Sequence, residues 1–331
     1  MNSNLHSLNS LTEILLSPEI NYSKIREAVF SLNKLFCESV SFDEMDFINQ
    51  TDITTKTGKA IAPRWAASCL TDMMRTRKFI LGIKDAIEER SKMNPGKPVI
   101  VMYAGTGPFA SLLTPLVTVF SPAQLQMVLL EINPVSVSFL EKIIQKFGMA
   151  EYLIEMMQAD AVTYSIPANQ QPDIIVSETM NNALQKEPQV SIVANLLSQC
   201  NRNPFLIPEM IRVGACLLGD TNGNPEAILL LKNLIELDAE TAICIKNNPE
   251  NVPALSQGVI VTIPSLPDPQ YKRLALCTDI NVFRQHNLSH NESGLTIPHI
   301  LMMTDSLKKY PVRLLFQYHI KSNPGFSFRE V

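Results

Sequence analysis

The stretch VIVMYAGTGPFA, residues 99–110, decides the fold class of this chain. Six apolar residues run into a turn with two glycines, which predicts a buried strand that ends in a glycine loop. Downstream, apolar runs that predict three more strands are MVLLEIN (127–133), YLIEMMQAD (152–160) and PDIIVSE (172–178). The segment between the second and third runs has helical periodicity. Alternation of strand and helix is typical of a parallel sheet in a doubly wound α/β domain.

The predicted helix is the segment NPVSVSFLEKIIQKFG, residues 133–148. Its apolar residues recur every three to four positions and therefore share one face. Asn133 is a favourable N-cap, Pro134 suits the first helical position, and Gly148 suits the end. We therefore expect this helix to cover one face of the sheet.

The parts on either side of the α/β pattern differ from it. Residues 1–50 have short amphipathic helical patterns, and a longer helical pattern, broken once, begins at Pro63. After about residue 205, runs typical of strands dominate: IRVGACLL (211–218), AICIK (242–246), GVIVTI (258–263), YKRLALCTDINVF (271–283) and VRLLFQYHI (312–320). We predict an N-terminal helical segment at 1–50, a Rossmann-like domain at 51–207 and an antiparallel, barrel-like β domain at 208–331.

Composition limits the function classes. The 331 residues are 46% hydrophobic and 18% charged, with 28 basic and 32 acidic side chains. A net charge of −4 disfavours nucleic acid as the main partner. No run approaches the roughly 18 apolar residues of a membrane span. The six cysteines form no C-x-x-C pair, so we expect free thiols, no bound metal and a cytoplasmic protein.

Three loops after the predicted strands have side chains suited to a nucleoside cofactor. Gly105 and Gly107 let a ligand approach the backbone, but Ala110 stands where a dinucleotide fingerprint needs its third glycine. Glu131 ends the second strand, where a carboxylate can accept hydrogen bonds from a ribose diol. Asp160 ends the third, in a position suited to an adenine amino group. This set favours S-adenosylmethionine over a nicotinamide cofactor.

A helical motif precedes the sheet. Leu70, Asp72, Arg75 and Thr76 have the spacing L-x-D-x-x-R-T. On its own, Arg75 has the plain interpretation of a solvated helix arginine beside two other basic residues. A guanidinium fork is also well suited to bind a carboxylate.

The loop after the fourth strand contains two glutamates. SETMNNALQKE starts at Ser177 and places Glu178 and Glu187 nine residues apart, with Met180 between them. FLIPEM (205–210) follows. Together with the helical motif, these stretches resemble the protein arginine methyltransferase family over roughly residues 50 to 215.

The resemblance implies a class I methyltransferase fold and S-adenosylmethionine as cofactor. It implies that Arg75 pairs with the cofactor's carboxylate and that Glu178 and Glu187 hold the substrate guanidinium as catalytic residues. The cofactor-binding residues predicted from the loops and the resemblance are Arg75, Tyr103, Ala104, Gly105, Thr106, Gly107, Glu131, Ile132, Asp160 and Ala161. A homodimer is compatible with the resemblance.

The physical chemistry of a guanidinium explains why its binding site would need two carboxylates. Its pKa of about 12.5 to 13.8 keeps it charged and a poor nucleophile at neutral pH. Two carboxylates can accept its N–H groups, orient one nitrogen and withdraw positive charge from it. Two unpaired carboxylates would repel each other, so the pair predicts a cationic substrate.

Departures from the family pattern favour a small substrate. Thr179 stands where the family has an aromatic residue, an aromatic pair on the first helix is missing, and Trp65 is the only tryptophan, so the threonine-histidine-tryptophan turn is absent. His286, His290 and His299 are candidates for its histidine. The chain resembles bacterial relatives that methylate free L-arginine in natural-product pathways. We expect free arginine or a small guanidino compound rather than an arginine-containing peptide.

Two alternatives stay open. One is an S-adenosylmethionine-dependent methyltransferase of another substrate class, although SETMNN lacks the sequence that stacks a flipped base. The other is a catalytically silent module that binds the cofactor, which Thr179 and the missing turn favour. The number of methyl groups transferred and the symmetry of the product are not decided by the sequence.

Overall fold

A computed structural model of the protein describes residues 3–219, 227–264, 271–307 and 310–331. Its α-helices are α1 Ser3–Leu16, α2 Tyr22–Val40, α3 Pro63–Ser68, α4 Met73–Met93, α5 Pro134–Lys146, α6 Gln189–Leu197 and α7 Ala239–Asn247. Its strands are β1 Ile53–Thr54, β2 Lys59–Ala60, β3 Val99–Ala104, β4 Leu125–Glu131, β5 Leu153–Gln158, β6 Ile174–Ser177, β7 Phe205–Ile207, β8 Met210–Gly219, β9 Ile228–Leu237, β10 Val259–Ile263, β11 Tyr271–Phe283, β12 His286–Leu288, β13 His299–Met303, β14 Val312–His319 and β15 Gly325–Glu330.

The predicted parallel sheet is confirmed. Its strands lie in the order β5-β4-β3-β6-β7. Ala104, the last residue of β3, pairs with Leu130 on one side and Ser177 on the other. The strand order switches at β3, so the loops after β3, β4 and β6 meet at one edge of the sheet, where ligands bind in such folds.

Helix α5 has the predicted ends. The Asn133 side chain accepts a hydrogen bond from Val135 N, Pro134 is the first helical residue, and Gly148 follows the helix with a φ of 66°. The connection from β3 to β4 differs from the expected alternation, because it contains a 3-10 helix, Thr114–Thr118, that includes Pro115. Proline in that position suits only a first helical turn.

Helices from the N-terminal part of the chain pack against the sheet, with α4 in contact with β3, β6 and β7. The predicted break is confirmed, because α3 and α4 are separated by a 3-10 turn at Cys69–Thr71, and Asp72 caps α4. In α2 the buried face includes Ile25, Val29 and Leu32. Phe30, next to Val29 in the sequence, lies off this face and is 49% exposed.

The C-terminal part is antiparallel, as predicted. In the portions that the structure describes, β12, β11, β8 and β9 form one sheet with β13 on β11, and β10, β14 and β15 form another. The prediction of a strand at AICIK is wrong, since these residues lie in α7. The Asp238 side chain accepts a hydrogen bond from Thr241 N and caps that helix. This cap outweighs the strand preference of two isoleucines.

The expectation of free thiols is wrong for two of the six cysteines, because Cys216 and Cys277 form a disulfide. The two cysteines lie on the neighbouring strands β8 and β11, and their register brings the two side chains together. They are 61 residues apart in sequence, so the pairing depends on the sheet. Cys37, Cys69, Cys200 and Cys244 are free.

Candidate active site

One cavity lies at the carboxyl ends of the parallel strands. It contains about 980 Å³ of space that protein atoms do not fill, part of it open to solvent. The predicted residues that line it are Arg75, Tyr103, Gly105, Thr106, Gly107, Glu131, Ile132, Asp160, Ala161, Glu178 and Glu187. Ala104 does not line it, because its side chain is fully buried within the sheet.

The glycine loop and Glu131 form a hydrogen-bonded unit. Gly105 and Gly107 have φ values of 79° and 62°, which favour glycine. A Cβ on Gly105 would overlap Cγ2 of Thr179. The Glu131 carboxylate accepts hydrogen bonds from Gly107 N at 2.7 Å and from Asn133 N at 2.8 Å. Burial raises the pKa of Glu131, and these two N–H groups counteract that effect. Each oxygen keeps a lone pair for a further donor.

The other cofactor-type residues lie at the same edge. Asp160 accepts a hydrogen bond from Val162 N at 2.9 Å through Oδ1, so its loop is fixed. Ala161 and Tyr103 are buried at the cavity wall, and burial raises the pKa of the Tyr103 phenol. The three loops that the sequence predicted therefore surround one space.

Arg75 lies in the first turn of α4 and enters the cavity from the side. Its guanidinium forms an ion pair with Oε2 of Glu178, and the two side chains are 12% and 2% exposed. Asp72, which caps α4, accepts a hydrogen bond from Arg75 N. The same carboxylate accepts bonds from Ser293 Oγ and Gly294 N, 2.7 and 2.8 Å away. Asp72 thus joins the helix of Arg75 to a turn of the C-terminal part.

The two glutamates have unused hydrogen-bonding capacity. Oε1 of Glu178 is buried and accepts no hydrogen bond from any described residue. Glu187 is 9% exposed, and its carboxylate forms no hydrogen bond or ion pair with the parts of the chain that the structure describes. Burial raises the pKa of Glu187 to about 7, against the opposing charges of Arg75 and Lys59. Both carboxylates can therefore accept N–H groups from a cation in the cavity.

The loop between the glutamates has an unusual backbone. Ala183, Leu184 and Lys186 have φ values of 55°, 55° and 65°, a region that costs non-glycine residues about 1–2 kcal/mol each. Contacts from the C-terminal strands hold it. Ala183 N donates to Thr278 Oγ1 at 2.8 Å, and the Tyr318 hydroxyl donates to Leu184 O at 2.7 Å. The C-terminal sheets therefore fix the path of the chain to Glu187.

The hairpin of β1 and β2 was missed as part of the site. Thr55, Lys59, Ala60 and Ile61 line the cavity. Lys59 N donates to Lys186 O at 2.8 Å, next to Glu187, and Lys59 Nζ lies 2.7 Å from Asp52 Oδ2. The strands have two residues each, so hydrophobic periodicity gives no signal for them. Other lining residues that the sequence did not indicate are Ala66, Cys69, Ser111, Leu112, Ser136, Ala159, Pro188 and Ile192.

The histidine candidates do not line the cavity. His286 Nε2 lies 2.8 Å from Asp85 Oδ2, and His290 contacts Asn291. His299 lies in β13 and pairs with Leu276 in the sheet. Among the residues described, no histidine replaces the one in the missing turn.

The helices that the structure describes include none with the length and apolar character needed to cross a membrane. Within the same ranges, no cluster of His, Cys, Asp and Glu side chains is arranged to hold a metal ion.

The fold is similar to solved structures of protein arginine methyltransferases. The Trypanosoma brucei PRMT1 enzyme-prozyme heterotetrameric complex with AdoHcy matches at 11% identity and a TM-score of 0.52, over 80% of this chain and 91% of that chain. PRMT6-SAH matches at 10% identity and 0.53, over 75% and 96%. Arabidopsis thaliana protein arginine methyltransferase 10, in an open conformation, matches at 10% and 0.53, over 76% and 86%.

At this level of identity the similarity establishes the fold. No protein-family model and no curated protein matches the sequence. The class defined by fold is thus a parallel α/β domain with a C-terminal antiparallel β region, as in those enzymes.

Proposed function

We propose that the protein is an S-adenosylmethionine-dependent N-methyltransferase that acts on a guanidino nitrogen. The observation that carries the proposal is the pair of glutamates at the same cavity. Among the described residues, one buried oxygen of Glu178 has no donor and the carboxylate of Glu187 has no pairing partner. A planar cation with several N–H groups satisfies both. The fold similarity to protein arginine methyltransferases supports the same class.

The residues of the cavity fit the cofactor. Glu131 can accept hydrogen bonds from a ribose diol, Asp160 can accept one from an adenine amino group, and Gly105 and Gly107 line the same cavity. Arg75 supplies a cation for a carboxylate. When bound, S-adenosylmethionine supplies a sulfonium-activated methyl group that the guanidino nitrogen takes as the carbon–sulfur bond breaks. Two of the similar solved structures are complexes with AdoHcy or SAH.

The protein's own residues orient the substrate and manage its charge. Glu178 accepts an N–H through Oε1 while Arg75 holds its other oxygen in place. Glu187, with a pKa raised to about 7, can accept the proton that the nitrogen loses. Positioning and electrostatics would supply most of the rate enhancement.

We further propose free L-arginine, or a small guanidino compound, as the substrate. Lys59 lines the cavity near Glu187 and offers a cation to a substrate carboxylate. A residue within a peptide has no carboxylate at its α-carbon, so a cation at this position favours the free amino acid.

One observation favours a second candidate, a module that binds the cofactor without turnover. Arg75 already satisfies Oε2 of Glu178, as an internal guanidinium in place of an external one. Glu187, which has no partner within the described ranges, favours the enzyme over this candidate.

The deciding experiment incubates the protein with methyl-labelled S-adenosylmethionine and either L-arginine or an arginine-rich peptide. Mass analysis should find label in arginine, and the Glu187→Gln variant should not transfer it. Cofactor binding without label in either substrate would contradict the proposal and favour the silent module.

A further inference from the structure

The side-chain amide of Gln189 makes four hydrogen bonds next to the glutamates. Gln189 is 1% exposed at the start of α6. Its Oε1 accepts bonds from Thr179 N at 2.9 Å, Thr179 Oγ1 at 2.8 Å and Ser177 Oγ at 3.2 Å. Its Nε2 donates to Ser177 O at 2.8 Å. One buried amide therefore binds the residues immediately before and after Glu178.

The same residue is close in sequence to the second glutamate. Gln189 follows Glu187 by two positions, with Pro188 between them. Pro188 has its φ fixed by its ring, so the step from Glu187 to Gln189 is stiff. The amide of Gln189 consequently ties the backbone of Glu178 to the backbone of Glu187.

The chemistry requires glutamine at this position. Thr179 N needs an acceptor and Ser177 O needs a donor, so the two ends of the amide have fixed roles. Glutamate would lack the donor when ionised, and asparagine would be one methylene too short. Thr179, fixed in this way, places Cγ2 where a Cβ of residue 105 would be.

We infer that Gln189 is a positioning residue that sets the separation of the two catalytic glutamates. It also directs the Thr179 side chain toward the glycine loop. The inference rests on the proposed function. Thr179 stands where the family has an aromatic residue, and Gln189 holds its backbone and hydroxyl by hydrogen bonds. Gln189 itself does not line the cavity, so its role is to position the loop.

The test compares Gln189→Leu with Gln199→Leu. Gln189→Leu removes four hydrogen bonds. Gln199→Leu removes three, with Ile166 N, Tyr164 O and Asn195 O, at a residue that does not line the cavity and does not bond to the loop of the glutamates. We expect Gln189→Leu to lower kcat for arginine methylation by about 10²-fold, with the cofactor Kd within about threefold of wild type. Both variants should lower Tm by a similar amount, because each loses buried hydrogen bonds. Gln199→Leu should leave kcat unchanged.

Thr179→Val keeps the test decisive if Gln189→Leu fails to fold. It removes the Thr179 hydroxyl and keeps the backbone bond, so we expect a smaller fall in kcat. In a double-mutant cycle, Thr179→Val should add little to the loss caused by Gln189→Leu. Unchanged kcat in both single variants, with an active wild type, would overturn the inference alone. An inactive wild type would overturn the proposed function and the inference with it.

Discussion

The guanidinium of Arg75 forms an ion pair with the carboxylate of Glu178 in the cavity wall, whereas Glu187 lies nearby without a pairing partner among the described residues. The two glutamates therefore have different environments. Glu178 is paired with a cation of the protein, whereas the proposed reaction has Glu187 pair with the cation of the substrate. This asymmetry makes their variants distinguishable.

Glu178→Gln and Glu187→Gln should both lower kcat by at least about 10²-fold, because each removes charge that draws on the substrate guanidinium. Their stabilities should differ. Glu178→Gln leaves the buried Arg75 without its ion pair, a loss of about 3–5 kcal/mol in comparable cases. Calorimetric Tm values measure this difference. Equal Tm values for the two variants would contradict the ion pair between Arg75 and Glu178.

The stability of the wild type should fall as pH rises through Glu187's titration. Its pKa is raised from 4.5 to about 7, so the folded state keeps a proton that the unfolded state releases between these values. The penalty is on the order of 3 kcal/mol above pH 7 and vanishes below pH 4.5. Glu187→Gln should thus be more stable than wild type at pH 8, with a smaller difference at pH 5. Denaturant unfolding at both pH values tests this, and a pH-independent difference would count against it.

Lys59→Met should distinguish substrates by their carboxylate. We expect the KM for L-arginine to rise about tenfold, because a cation near the substrate's carboxylate is lost. The KM for agmatine, which has the guanidino group without a carboxylate, should not rise in this way. Lys56→Met on the same hairpin is the matched control, since Lys56 is exposed and does not line the cavity. Equal increases for both substrates would contradict the role of Lys59.

Gly105→Ala should weaken cofactor binding through Thr179. The added Cβ would overlap Cγ2 of Thr179, and φ at Gly105 is 79°. Gly96 has a φ of 80° and open space around its Cβ position, so Gly96→Ala shows the backbone cost alone, about 1–2 kcal/mol. Thr179→Ser removes the overlapping methyl group and should restore cofactor affinity to Gly105→Ala. Failure of this rescue in calorimetric titrations would exclude the overlap as the cause.

Tyr318→Phe should lower kcat although Tyr318 does not line the cavity. It leaves Leu184 O buried without its donor and costs about 1–3 kcal/mol of stability. We expect kcat to fall about tenfold because the loop to Glu187 relaxes. Tyr152→Phe removes a buried hydroxyl bonded to Val117 O and Phe120 O, far from that loop. A similar kcat for the two variants would show that the C-terminal strands do not position Glu187.

The fold was predictable where local signals agree with the packing. The apolar run before Gly105 and the cap at Asn133 each fix an element through the neighbouring sequence alone. The prediction of a strand at α7 is wrong because the short apolar run AICIK suits either a strand or a buried helix, and the cap at Asp238 favours the helix. The disulfide of Cys216 and Cys277 depends on strand register, which single-sequence patterns do not give.

The site was predictable where residues follow strands. Glu131, Asp160 and Glu178 come directly after β4, β5 and β6 or end them, so topology brings them together. Lys59 and Gln189 could not be assigned in this way. Their roles come from contacts between segments whose approach depends on the whole fold.

The left-handed stretch between the glutamates, supported by Thr278 and Tyr318, has a consequence for engineering. Neither Thr278 nor Tyr318 lines the cavity, yet both lie on strands that set the path of the chain to Glu187. A library confined to the cavity lining would leave that path unchanged. Substitutions on these two strands would move Glu187 without changing any residue that lines the cavity.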